Sequence, residues 1–163
     1  MLGPTVMLSE TRAVSQSLLV AFRIPTGNNY NGNGIAAISP TYQFWANWWE
    51  GLVVRGGAGF SVPYAGNLQD TGVRSTFNSN LAVGYYFTDH DFTPFGDLVW
   101  YVSGNFSQTL DNRGPTSVST FSLGPGFRTH LGDNWFLLGS VDMPVTRPEP
   151  YDYQVLGSLM KVY

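Results

Sequence analysis

The sequence contains no cysteine, which excludes disulfide bonds and thiolate chemistry. Charged residues make up only 12% of its 163 residues, about half the usual share in soluble proteins, and Lys161 is the only lysine. No segment approaches the ~18 consecutive apolar residues that a transmembrane helix needs. The formal net charge is −3 and no basic patch is visible, so nucleic acid is not expected as a partner.

We also expect no secretory signal in this sequence. Residues 1–8 have neither a basic start nor an apolar run of adequate length, and Glu10 follows at once. If the protein is exported, we expect this chain to be a mature or truncated form. The length suits one domain over residues 1–163, with residues 1–12 as a loose lead-in.

The chain instead has abundant aromatic residues, at 15%, and apolar residues that recur with a period of two. In the clearest segment, Leu81 and Val83 alternate with Asn80 and Ala82. No segment shows helical spacing, so the pattern predicts an all-β fold, an antiparallel up-and-down barrel of about eight strands. The predicted strands cover residues 14–24, 35–45, 52–64, 76–88, 95–108, 117–130, 135–145 and 151–163.

The two faces of these strands differ in polarity. One face is apolar and nearly free of charge, whereas the other is rich in Ser, Thr, Asn, Gly and Arg. A soluble barrel would carry charged residues outside, so this inversion predicts a transmembrane barrel in the outer membrane of a Gram-negative bacterium. The alternative is a soluble, lipocalin-like ligand-binding barrel, whose apolar residues face an internal cavity.

The connections and the aromatic residues predict an orientation. With the C-terminus on the periplasmic side, the short connections 46–51 and 131–134 are periplasmic, and the longer ones 26–34, 65–74 and 109–116 are extracellular. Amphipathic rings gather at both membrane interfaces. The predicted interface aromatics on the periplasmic side are Trp45, Trp48, Trp49, Trp135 and Tyr163. Tyr64, Phe106, Tyr151 and Tyr153 are predicted near the opposite rim.

The interior of an eight-stranded barrel is just wide enough to be filled by its own side chains. Buried charges are costly unless they are paired, so we expect arginine–aspartate partners there. One interpretation is a paired plug, and the other is a polar conduit or small-ligand site. The predicted lumen-lining polar residues are Arg23, Arg55, Asp97, Arg128, Asp142 and Asp152.

Residues with ligand chemistry cluster only at Asp89, His90 and Asp91. Carboxylates and imidazole can bind a metal or activate water. Alternate residues in a loop usually diverge, so we favour a solvated turn and predict no metal, no other cofactor and no catalytic residue. A membrane-embedded hydrolase that uses His90 or His130 is a third hypothesis.

Several motifs carry a family resemblance: Phe-Arg-Ile-Pro-Thr-Gly at 22–27, Ser-Pro-Thr-Tyr at 39–42, and the stretches 126–139 and 159–163. They resemble a broad group of proteobacterial outer-membrane barrels, which includes transporter-like proteins linked to phenol-degradation pathways. The resemblance implies a structural role or passage of small, including hydrophobic, molecules, with membrane lipid as partner. It supplies no catalytic residues. Such proteins are usually longer, so closure of eight strands alone, a larger barrel and oligomerisation all stay open.

Overall fold

The computed structural model describes residues 3–24, 34–49, 51–66, 74–89, 91–92, 94–110, 119–147 and 151–161. These residues form one antiparallel sheet of nine strands, and each strand pairs with its neighbours in sequence. The all-β, up-and-down prediction is therefore confirmed. The strands are β1 (Thr5–Glu10), β2 (Val14–Arg23), β3 (Ala36–Trp49), β4 (Leu52–Ala65), β5 (Thr76–Tyr86), β6 (Gly96–Thr109), β7 (Ser119–Gly132), β8 (Trp135–Pro144) and β9 (Gln154–Lys161).

In the described part of the chain, no helix has the length and apolar character that a membrane span requires.

Strand β1 corrects the prediction of a loose lead-in over residues 1–12 and raises the strand count from eight to nine. It pairs with β2, with Thr5 opposite Leu19. The sequence hides this strand because Val6, Met7 and Leu8 are consecutive apolar residues that break the alternation. The register also shifts between Met7 and Ser9, and all six residues are exposed. Ladder hydrogen bonds to β2, rather than burial, hold this edge strand.

Strand β3 is longer than the predicted 35–45 and shortens the following connection. Asn47 pairs with Val53 and Trp49 pairs with Leu52, so the ladder continues almost to β4. Pro40 lies opposite Val20 of β2. On the β4 side, paired residues stop at Ile38 and resume at Thr41. Pro40 has no N–H to donate, which interrupts the ladder at this point, but the register on either side of the gap is the same.

The tight turn predicted at 131–134 joins β7 to β8. Gly132 pairs with Trp135, so the loop consists of Asp133 and Asn134, whose φ angles are 48° and 60°. Two central residues with positive φ are the signature of a type I′ hairpin turn, and aspartate and asparagine tolerate that conformation.

The two faces of the sheet differ as the alternation predicts. On the outward face, Leu81 and Val83 are 52% and 46% exposed, and Trp100 and Val102 of β6 are exposed beside them. On the opposite face, small and polar residues follow one another across the strands. Asn80 is exposed as well, because it lines a wide cavity on that face.

The sheet curls around its polar face. Arg55 of β4 stacks on Tyr101 of β6, and Arg128 of β7 reaches Trp45 of β3. Each of these contacts joins strands that are not neighbours in the sheet. The sheet must therefore be concave on this face. Within the described residues, β1 and β9 each have one neighbour, so the sheet is open between them. Because nine is an odd number, these two edge strands run in the same direction.

Candidate functional site

The concave face has two halves, which differ in how they are filled. At the end of the short connections, bulky side chains form what we call the aromatic–arginine layer: Trp45, Arg55, Tyr101, Arg128 and Phe136. Toward the end of the long connections lies what we call the polar cavity.

Arg128 is the centre of the aromatic–arginine layer. Its guanidinium carbon lies 4.3 Å from the ring centroid of Phe136 and 5.5 Å from that of Trp45. Attraction between a cation and the faces of aromatic rings is worth about 0.5–2 kcal/mol per contact, with the larger values where water is excluded. Arg128 is half-buried, and these ring contacts stabilise its positive charge.

Arg55 repeats the arrangement on the neighbouring strands. Its guanidinium carbon lies 4.4 Å above the ring of Tyr101, which is buried with Ala82 and Val99. The ring can lie this close to the sheet because residue 126 is a glycine: a Cβ there would be 2.4 Å from the Tyr101 ring. The layer leaves a void of about 10 Å³ among its members.

The polar cavity has a volume of about 730 Å³. Its wall combines short polar side chains, which leave the space open, with Arg55 and with aromatic and other apolar groups. The polar part of the wall includes Gln43, Asn78, Asn80, Ser103, Asn105 and Asp142, and the apolar part includes Ala82, Tyr101 and Leu156.

Asp142 is the buried charged group of this cavity, with 8% of its surface exposed. Its Oδ1 accepts a hydrogen bond from Asn105 Nδ2 at 2.9 Å. Its Oδ2 accepts bonds from Ser122 Oγ at 2.7 Å and Tyr151 Oη at 2.5 Å. Three donors therefore meet one carboxylate, which is how a buried charge is stabilised without a cation.

Tyr151 reaches this carboxylate from the connection between β8 and β9. The hydrogen bond to Asp142, followed by burial, raises the pKa of the Tyr151 hydroxyl above its ordinary value, while a hydrogen bond with Ser122 acts in the opposite direction. The phenol therefore stays protonated and keeps donating its hydrogen.

The structure brings three predicted lumen residues onto cavity walls: Arg55, Arg128 and Asp142. Arg23 shares the same face by alternation, since it pairs with Ala37. Asp97 lies at an irregular point of β6 with a φ of 48°. Asp152, the last of the predicted lumen residues, lies outside the strands. It is exposed in the connection before β9.

The expected arginine–aspartate pairing is wrong for Asp142, whose hydrogen-bond partners are neutral donors. Arg128 lies opposite Leu138 of β8, and Asp142 is four residues farther along that strand. This separation is about 13 Å at ~3.3 Å per residue. The two charges therefore belong to different halves of the concave face.

The predicted interface aromatics fall into two groups, one exposed and one on the concave face. Trp48, Trp49 and Trp135 are exposed near the short connections, with Trp49 78% exposed. Trp45 differs from the prediction: it is half-buried and meets Arg128 on the concave face, because it lies one residue out of phase with the outward Phe44. Tyr163 lies outside the described residues.

Asp89 and Asp91, which the sequence marks as weak metal-ligand candidates, lie in a turn. The backbone carbonyl of Asp89 accepts hydrogen bonds from the N–H groups of Phe92 and Asp97, and the side chains of Asp89 and Asp91 are exposed. His90 lies outside the described residues, within which no group of three metal-ligating side chains occurs. His130 packs against Phe136. The absence of catalytic residues stays a prediction.

Sequence reasoning missed Asn105, Ser122 and Tyr151 as donors to Asp142. Alternation places Asn105 and Ser122 on the polar face, but only the register, which pairs these two residues, shows that they converge. Tyr151 was predicted at the rim from its aromatic character. Its hydroxyl turns inward instead because a buried carboxylate is there to accept it.

Comparison with known proteins gives one result. Neither curated proteins nor solved structures provide a significant match. A family model described as "Putative MetA-pathway of phenol degradation" matches residues 1–147, which include strands β1 to β8. The motifs at 22–27 and 39–42 lie within the matched range and predict the same group. The chain therefore belongs to this phenol-degradation-pathway family.

Proposed function

We propose that this protein is embedded in the bacterial outer membrane, with its apolar face against lipid, and that its interior admits small molecules, including hydrophobic ones. The observation that carries the proposal is the inverted polarity of the sheet. Leu81 and Val83 are exposed, whereas Asp142 and three hydrogen-bond donors occupy the concave face.

Lipid contact is supported by the number and continuity of the exposed apolar side chains. Contiguous apolar patches beyond a few hundred Å² are rare on soluble monomers and mark contact with another phase or partner. Here they run along several neighbouring strands. The exposed set includes Phe60, Val62, Leu81, Val83, Trp100, Val102, Leu123 and Met143.

Entry of small molecules is supported by the polar cavity. Its 730 Å³ falls within the ~300–1,000 Å³ range of small-molecule sites. The family description refers to phenol degradation, and a simple aromatic compound fits this volume with room to spare. A lipocalin-like protein would instead turn its apolar residues toward the cavity, which is the reverse of the observed facing.

Single cysteines test the membrane facing, because the chain has none of its own. In Val83→Cys, a nitroxide label should collide mainly with oxygen, which is lipid-soluble. In Asn80→Cys, the label should collide mainly with a water-soluble nickel chelate. The two positions lie on the same strand and provide matched controls for each other. The reverse pattern would remove the lipid assignment.

The same variants test entry into the interior. Radiolabelled toluene should partition more into lipid nanodiscs that contain the protein than into empty ones. A bulky polar label at Asn80→Cys should abolish this excess, because residue 80 lines the cavity. The same label at Val83→Cys should leave it unchanged. Equal partition with and without protein would end the proposal that the interior admits hydrophobic molecules.

A further inference from the structure

We propose that Asp142 recognises the hydroxyl group of a small neutral phenol, and that Tyr151 occupies this position as an internal substitute which the ligand displaces. The inference rests on the proposed function, because the ligand must first enter the polar cavity. The inference adds to the proposed function the ligand class, the residue that recognises the ligand and the side chain that the ligand displaces.

The first observation is the chemistry of the contact that already exists. The Tyr151 side chain is itself a para-substituted phenol, and its hydroxyl donates to Asp142 Oδ2 at 2.5 Å. The carboxylate is therefore positioned to accept a phenolic O–H. An external phenol offers the same donor attached to the same ring.

The second observation is that the three donors to Asp142 are held differently. Asn105 and Ser122 lie on β6 and β7, each paired with strands on both sides. Tyr151 lies in a connection that leads to the exposed edge strand β9. Segments with few buried contacts open at low free-energy cost. Tyr151 is thus the donor whose displacement disturbs the least structure.

The third observation is the space and polarity around the carboxylate. Asp142 lies in the wall of the 730 Å³ cavity, to which Ala82, Tyr101 and Leu156 contribute apolar surface for a ring. A site that hydrogen-bonds a hydroxyl rejects analogues that lack it. A phenolate has no hydrogen to donate and would be repelled by Asp142, although Arg55 also lines the cavity. The preferred ligand is therefore an uncharged phenol.

Phenol and toluene binding to the full chain in lipid nanodiscs tests this assignment, since toluene has the ring without the hydroxyl. Tyr151→Phe removes the internal donor, so the dissociation constant for phenol should fall about tenfold, the value of one hydrogen bond to a charged group. Asp142→Asn should raise it by about tenfold or more. Toluene binding should change in neither variant. Asp152→Asn, an exposed neighbour, is the matched control and should bind both compounds as the wild type does.

Equal phenol affinity in the wild type and Tyr151→Phe would overturn the assignment, as would phenol binding that survives Asp142→Asn unchanged. Should Asp142→Asn fail to insert, the Tyr151→Phe comparison decides alone, because that change removes a single oxygen from a side chain outside the strands. Failure of the proposed function gives a different result: toluene would then show no excess binding to the wild type.

Discussion

The two halves of the concave face share the same strands and the same alternation, yet one is filled and the other is open. The aromatic–arginine layer leaves about 10 Å³ among its side chains, and the polar cavity has about 730 Å³. Backbone geometry is common to both, so side-chain size makes the difference. Three rings and two guanidiniums fill the first half, whereas Asn, Ser and Thr side chains leave the second open.

The halves also handle charge differently. In the layer, Arg55 and Arg128 are stabilised by aromatic faces, and in the cavity Asp142 is stabilised by neutral donors. Arg128 and Asp142 thus do not pair, although they share one concave face. The carboxylate stays directed at the open volume, where a ligand can reach it.

Gly126→Ala should disrupt the filled half most strongly. The new Cβ would lie 2.4 Å from the rigid, buried ring of Tyr101, and overpacking of this kind costs about 1–3 kcal/mol. We expect a loss near the upper end of that range in denaturant unfolding. Gly157→Ala on β9 is the matched control, since a Cβ there meets nothing within 4 Å. Equal effects of the two substitutions would contradict the close packing of Tyr101.

Arg128→Met tests whether the aromatic rings stabilise this half-buried cation. The substitution keeps an unbranched chain and removes the attraction to Phe136 and Trp45, so unfolding stability should fall by about 1–2 kcal/mol. Arg12→Met is the control, because Arg12 is exposed. A stable Arg128→Met variant would show that the layer is held by packing alone.

Ser122→Ala tests the open half. Ser122 is buried and donates to Asp142 Oδ2, so its loss should cost about 1 kcal/mol of unfolding stability. Ser119→Ala, at the exposed start of the same strand, should have no measurable effect. A neutral result at residue 122 would mean that the remaining donors to Asp142 suffice.

The smallest effect is the pH dependence of the Tyr151 contact. Because the folded-state pKa of Tyr151 is raised above 10.0, its contribution is complete below that pH and is lost as the pH rises through the raised pKa. The stability difference between wild type and Tyr151→Phe should therefore shrink in strongly alkaline solution. If the stability difference stays constant across neutral and alkaline pH, the hydrogen bond of the Tyr151 hydroxyl is not its source.

The sequence predicts much of this fold because its signals are local. Leu81 and Val83 against Asn80 define a face, and Asp133-Asn134 defines a turn, without any knowledge of the remaining chain. Strand β1 was not predicted because Val6, Met7 and Leu8 are all apolar and do not alternate with polar residues. Edge strands bury little, so their sequences are only weakly constrained.

The site is harder to predict because its contacts depend on register and curvature. Alternation places Asp142 and Arg128 on one face, but their separation along β8 decides that they do not meet. The position of Trp45 depends on the curl of the sheet, which brings β3 opposite β7. No pattern within a single strand carries that information.

The contact between Arg128 and Trp45 has a consequence for the order of folding. Each described strand pairs only with its neighbours in sequence, so hairpins can be added one at a time through local contacts, which are fast to form. The Arg128–Trp45 contact joins distant parts of the chain and must wait until the strands between them have bent. In a kinetic experiment, the indole of Trp45 should therefore report the bending of the sheet after the hairpins have formed.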